Sequence, residues 1–162
     1  MKDNNPLIGK MISYYAKDPK RIQHFLKVYQ FAKFIGEEEG MDDSTQHILE
    51  TAAIVHDIGI KKAEQVYGNC SGKYQEELGP KEAENMLKNL GYESSVVERV
   101  CYLVGHHHTY TNVEGLDYQI LIEADFLVNL YEDHVESEGC QKALDTIFRT
   151  KTGKGLLAEM FL

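Results

Sequence analysis

A histidine followed directly by an aspartate, at the end of an apolar helical run, is the feature that most constrains this chain. The run is Ala53-Ile54-Val55, and His56, Asp57 and Gly59 come after it. Neighbouring helix positions point about 100° apart, so both side chains can reach one ion only near a helix end. Gly59 is expected to provide that end. An imidazole and a carboxylate together suit a divalent metal. The simpler alternative needs no metal: a cationic histidine at the C-terminal end of the helix interacts with the helix dipole.

Apolar residues elsewhere in the chain recur with the spacing of helices, and no segment alternates as a strand does. Helices are expected at about 19–38, 42–57, 80–90, 93–107, 117–134 and 140–150, with a short helical turn at about 60–67. A glycine-rich loop is expected at 68–79 and an apolar tail at 156–162. The pattern predicts an all-α, single-domain helical bundle over residues 1–162, with the C-terminal helix and tail in 136–162.

Length and charge limit the function classes that the chain can serve. Its 162 residues suggest one domain. A net charge of −9 argues against a surface for DNA or RNA, although a bound cation would invert the local sign for a small phosphorylated ligand. There is no signal-peptide pattern, no apolar run of about 20 residues and no CxxC pair. A reduced, cytoplasmic protein is therefore expected, with no membrane partner.

Metal-capable side chains stand on otherwise apolar helical faces in four separate places. His24 lies in the first predicted helix, His56 and Asp57 end the second, histidines 106–108 end another, and Asp125 lies in an apolar run. A buried carboxylate is costly unless it is paired or bound to a cation. Each residue alone has a simpler interpretation, such as a hydrogen-bonded core histidine, a carboxylate paired with an arginine, or a solvated helix end. Together they match the way in which helical bundles build metal sites.

The order histidine, histidine-aspartate, aspartate resembles the HD superfamily of metal-dependent phosphohydrolases. The matching residues are His24, His56-Asp57 and Asp125, with the flanking segments 53–59 and 123–129, and the resemblance covers about residues 20–135. It implies hydrolysis of a phosphate ester or anhydride bond, with these four residues as metal ligands. Members include nucleotidases, cyclic-nucleotide phosphodiesterases and hydrolases of dinucleoside tetraphosphates and guanosine tetraphosphate. A nucleotide or other small phosphate ester is therefore the implied substrate.

The sequence departs from the two-metal members of that superfamily. Leu78 stands where they carry a further histidine, and Ile60 replaces the lysine of the common HDIGK motif. We expect one divalent transition metal (Fe, Mn, Ni, Co or Zn, with Mg as an alternative) in preference to two. A second ion would require Glu76 or Glu77 as a substitute ligand.

The remaining roles are assigned by chemistry. Asp57, His107 and Lys61 are the predicted catalytic residues, because they can orient water or contact a phosphoryl group. The predicted phosphate-binding residues are His106, His107 and Lys73. His108 is expected to point away from the site. The candidates for stacking on a base are Tyr74, Tyr110 and Tyr118.

Two alternatives to an enzyme stay open. The same metal centre could serve a regulatory module that senses a nucleotide without turnover, or the chain could be a structural bundle with a relict site. The tail at 156–162 is expected to pack on its own domain, with a homodimer contact as the alternative.

Overall fold

The computed structural model describes all 162 residues. It contains nine helices and no strand, which confirms the predicted all-α fold. The helices are α1 (Asn5–Tyr14), α2 (Pro19–Glu38), α3 (Asp43–Val55), α4 (Gly59–Tyr67), α5 (Gly72–Asn89), α6 (Ser94–Val104), α7 (Leu116–Glu132), α8 (Ser137–Thr146) and α9 (Lys151–Phe161). None of them combines the length and the apolarity that crossing a bilayer would need.

Aspartate caps fix the starts of the two helices that lead to the histidine-aspartate pair. Asp18 accepts a hydrogen bond from the Arg21 amide at 3.3 Å, ahead of Pro19 at the first position of α2. Asp42 accepts one from the Thr45 amide at 2.9 Å. Both caps satisfy amides that have no partner inside the helix. The starts predicted for these two helices are therefore confirmed.

Gly59 has a different role from the one that the sequence suggested. Helix α3 ends at Val55, and Gly59 begins α4 without the positive φ of a helix-ending glycine. A Cβ atom on Gly59 would lie 2.8 Å from the Gln75 carbonyl oxygen and 2.9 Å from the Gly79 Cα. Gly59 is therefore needed because the backbone of α5 passes directly against it, and its expected role as a helix stop is wrong.

The predicted loop at 68–79 and the predicted helix start at Pro80 are also wrong. Helix α5 begins at Gly72 and continues through Pro80 to Asn89. A proline inside a helix removes one backbone hydrogen bond, but close packing at Gly79 holds this helix together. A Cβ atom there would lie 2.8 Å from the Val104 side chain of α6. Tertiary packing therefore overrides the local signal of the proline.

Helix α7 lies at the centre of the bundle. Eleven of its residues are buried, and it packs mainly on α2 and α3 and also contacts α9. The apolar tail forms part of α9, where Leu157 is fully buried in the same core as α7 and Leu156 is partly buried against it. The buried face of α7 brings Asp125 beside the turn that joins α3 to α4.

Candidate metal centre

The side chains of His24, His56, Asp57 and Asp125 converge on one point between α2, α7 and the turn after α3. His24 Nε2 lies 3.1 Å from Asp125 Oδ1, 3.2 Å from Asp57 Oδ2 and 3.3 Å from His56 Nε2. His56 Nε2 lies 3.3 Å from Asp57 Oδ2 and 3.4 Å from Asp125 Oδ1. Two imidazoles and two carboxylates thus present one ligand atom each to a shared centre.

The other nitrogen of each ring is already committed to a hydrogen bond. His56 Nδ1 donates to the Ala53 carbonyl at 2.7 Å, and His24 Nδ1 donates to Glu132 Oε1 at 2.7 Å. The lone pairs of the two Nε2 atoms therefore face each other and the carboxylates. Such a set of acceptors is stable only around a cation, either protons or a metal ion. An outer acceptor that fixes the ring is the usual support of a metal-bound histidine.

The charges within the cluster shift the pKa of every member. Burial opposes protonation of His24, but hydrogen bonds to Asp125 and Asp57 outweigh it and raise its pKa to about 10. His56 is buried as well, yet the charges of Asp57 and Asp125 raise its pKa well above the usual value. Burial would raise the pKa of the Asp57 and Asp125 carboxyl groups, but the neighbouring histidines hold the pKa of each well below its ordinary value. The cluster therefore favours bound positive charge.

A second group of three side chains adjoins the first and shares Asp57. The ligand atoms of Asp57, His107 and His108 all lie within 4.8 Å of one another. Asp57 Oδ1 lies 3.3 Å from His107 Nε2, whereas Asp57 Oδ2 faces the first group. His107 Nδ1 donates to the Val104 carbonyl at 2.8 Å, and its buried Nε2 has no hydrogen-bond partner. An unpartnered buried nitrogen beside a carboxylate fits a cation at this position too.

The expectation that His108 points away from the site is wrong. Helix α6 ends at Val104, so the residues after it leave the helical face on which that expectation was based. His108 lines the cavity, and its Nε2 donates to Gln75 Oε1 at 3.0 Å. The Gln75 amide nitrogen is held by the Cys70 carbonyl at 2.7 Å, which fixes the amide and leaves His108 Nδ1 free. Burial, with a further contribution from His107, lowers the pKa of His108 to about 4.

Three of the predicted site residues are not brought to the cluster. Lys61 Nζ donates to the Tyr14 carbonyl at 2.9 Å and lies over the Tyr14 ring, so it ties α4 to α1. His106 stacks on Tyr102 and donates through Nδ1 to the Tyr102 carbonyl at 2.7 Å. Lys73 is exposed in the first turn of α5 and does not line the cavity.

The substitutes considered for a second-metal histidine are occupied elsewhere. Glu76 accepts hydrogen bonds from the His108 amide at 3.0 Å and from the Thr109 hydroxyl. Glu77 accepts one from the Tyr67 hydroxyl at 2.6 Å. Leu78 does not line the cavity, where α5 instead contributes Gln75. Glu76 therefore supports the histidine segment from behind instead of facing the cavity.

Two functional residues were missed by sequence reasoning. Glu132 follows Asp125 by seven residues, which places both on one face of α7, and that spacing was a usable signal. Gln75 was not detectable, because its importance depends on the distant His108. A cavity of about 600 Å³ opens onto both groups, and eleven of its thirteen lining residues are polar or charged.

Comparisons with known proteins give one match. A family model of the HD domain matches residues 21–144, a range that contains both groups of metal-capable side chains. No curated protein and no solved structure matches the chain. Helices α1 and α9 lie outside the matched range.

Proposed function

Because the chain belongs to the HD-domain family, we propose that it is a metal-dependent phosphohydrolase acting on a nucleotide or another small phosphate ester. One observation carries the proposal: the Nε2 atoms of His24 and His56 each lie 3.1–3.4 Å from a carboxylate oxygen of Asp57 and of Asp125, and the outer nitrogens of both rings are already bonded. This arrangement is more specific than a buried ion pair requires. It opens onto a cavity large enough for a small substrate.

We assign one divalent transition metal, Fe, Mn, Ni, Co or Zn, with Mg as an alternative, to these four residues. Two imidazole nitrogens and two carboxylate oxygens suit this class of ion and leave coordination positions for water and substrate. The group of Asp57, His107 and His108 is the candidate for a second and weaker ion, because it offers fewer ligands. The unpartnered Nε2 of His107 supports that assignment.

When bound, the metal would supply Lewis-acid polarisation of a phosphate oxygen and lower the pKa of a water molecule. The residues of the chain do the positioning. Glu132 and the Ala53 carbonyl hold the two histidine rings in place. Asp57 lies between the two groups, where it can orient the attacking water. His108 donates to Gln75 through Nε2, so its Nδ1 is the atom left to hold the second ion.

The test is release of inorganic phosphate from a panel of nucleotides and phosphate monoesters by metal-loaded protein. Asp125→Asn preserves the size of the side chain but weakens the ligand, and it should abolish turnover while the circular dichroism stays unchanged. Glu136→Gln, on the exposed segment after α7, is the matched control. Equal turnover in the wild type and Asp125→Asn would contradict the proposal. Tight nucleotide binding without turnover would replace it with the sensing module.

A further inference from the structure

We propose that the substrate is a hydroxyl-rich phosphate monoester, of the sugar-phosphate or polyol-phosphate class, and that Lys20 binds its phosphate. This inference rests on the phosphohydrolase function proposed above and narrows its substrate. It depends on three features of the cavity: the side chains that line it, the one lining cation without a carboxylate partner, and the acceptors that α7 contributes.

No aromatic side chain other than histidine lines the cavity over the metal-capable cluster. Only two of its thirteen lining residues are hydrophobic, and Ile60 is the one large apolar side chain among them. Nucleobases are normally bound between aromatic or apolar faces, and each stacking contact adds substantially to affinity. A base in this cavity would exchange water for polar side chains without such a contact. The lining therefore favours a substrate that binds through hydrogen bonds over one that needs a stacking surface.

The tyrosines that could have stacked on a base are engaged elsewhere. Tyr74 stacks on Tyr67 with ring centroids 3.9 Å apart. Tyr110 packs edge-on against Phe126. Tyr118 is buried, and its hydroxyl donates to the backbone carbonyl of His106 at 2.9 Å. None of these rings reaches the cavity lining.

Lys20 is the one cationic side chain of the cavity without a carboxylate partner. It lies in the first turn of α2, four residues before His24, so both side chains lie on one face of the helix. Arg21, the other cation of the lining, is held by Glu64 through two contacts of 3.0 Å. Lys20 forms no ion pair and stands at the positive end of the helix dipole. Because Lys20 and His24 are neighbours on the surface of α2, a phosphate bound beside His24 is within reach of the flexible Lys20 side chain.

Helix α7 and the residue after it contribute oxygen acceptors and no cation to the cavity lining. Asn129 donates its amide to Asp125 at 3.2 Å, which leaves its side-chain carbonyl available, and Asp133 is exposed without an ion pair. Both residues line the cavity. Hydroxyl groups would donate hydrogen bonds to these oxygens, whereas a second phosphate would meet a like charge. The cavity therefore suits one phosphate on a hydroxylated carbon skeleton.

The experiment uses the full chain loaded with Mn²⁺ and measures kcat and KM for glucose 6-phosphate, glycerol 3-phosphate, AMP and ATP. The two polyol esters should exceed both nucleotides in kcat/KM by about tenfold or more. Lys20→Ala should raise KM about tenfold with kcat nearly unchanged, because it removes one charge-assisted hydrogen bond present before and during reaction. Lys62→Ala, an exposed lysine on α4 outside the cavity, is the matched control.

The outcomes separate this inference from the function on which it rests. A higher kcat/KM for AMP or ATP would overturn the substrate class and leave the phosphohydrolase intact. Unchanged KM in Lys20→Ala would overturn the role of that lysine. If no compound is hydrolysed, the phosphohydrolase proposal fails, and calorimetric binding of the same four compounds decides the substrate class independently. Tighter binding of the polyol esters would then support it, and equal or weaker binding would overturn it.

Discussion

Glu132 accepts a hydrogen bond from His24 Nδ1 at 2.7 Å, and Lys27 holds the same carboxylate through its other oxygen at 2.8 Å. The contact joins the end of α7 to the first third of α2, and it leaves His24 Nε2 directed at Asp57 and Asp125. Glu132 is thus an outer support of the metal-capable cluster, although it is not itself directed at the shared centre.

Glu132→Gln should weaken metal binding about 10- to 100-fold, the usual effect of removing an outer-shell carboxylate. The glutamine can still accept a hydrogen bond, so the fold should persist while the ring becomes less basic. Competition with a fluorescent chelator measures the change in Kd, and Glu136→Gln provides the control. Equal affinity in both variants would show that Glu132 only neutralises Lys27.

Tyr15 holds the turn that carries Asp57 in place. Its ring is 2% exposed, and its hydroxyl donates to the Asp57 backbone carbonyl. Tyr15→Phe should lower the free energy of unfolding by about 1 kcal/mol, because one buried hydrogen bond is lost. Urea denaturation of the metal-free protein measures it. Tyr14→Phe, which loses a longer bond of 3.2 Å to Ile58, is the comparison and should lose less. A larger loss in that variant would refute the role of Tyr15.

Glu123 is fully buried two residues before Asp125, but its role is structural. Its carboxylate accepts hydrogen bonds from the Arg149 amide at 2.9 Å, the Thr150 amide at 3.0 Å and the Thr150 hydroxyl at 2.6 Å. Glu123→Ala leaves these buried donors without a partner and should destabilise the protein by about 3 kcal/mol. Thermal and urea unfolding measure the loss. The metal Kd of the folded variant should not change, and a lost metal site would place Glu123 in the centre instead.

The group of Asp57, His107 and His108 should bind a second metal ion, with lower affinity than the four-residue group binds the first ion. Titration of the protein with Mn²⁺, followed by electron paramagnetic resonance, should show two classes of site per chain. His108→Ala should remove only the weaker class, because His108 takes no part in the group formed by His24, His56, Asp57 and Asp125. One class of site in both proteins would contradict this expectation.

The sequence predicted the residues of the first group because their signal is local. Each stands on an apolar helical stretch, where a charged or ligand-forming side chain is conspicuous, and the resemblance to the HD superfamily supplied their order. The family match over residues 21–144 confirms that resemblance. The caps at Asp18 and Asp42 were equally local and correct.

Features that depend on packing were not predictable in the same way. Pro80 lies inside α5 because Gly59 and Gly79 let three helices pack closely, and nothing near the proline reveals this. His108 faces the cavity because α6 ends at Val104, a boundary that the apolar pattern overran by several residues. Lys61 was expected at a phosphate, but the carbonyl of Tyr14 in α1 holds it.

The most direct test of the account is the metal content of untagged protein purified without chelators, compared with Asp57→Asn and Asp133→Asn. Asp133 lines the same cavity but belongs to neither group of metal-capable residues, so its variant is the matched control. We predict at least one transition-metal ion per chain in the wild type and in Asp133→Asn, and less than about a tenth of that in Asp57→Asn. A wild-type protein without metal after reconstitution, or equal metal in all three proteins, would contradict the metal centre.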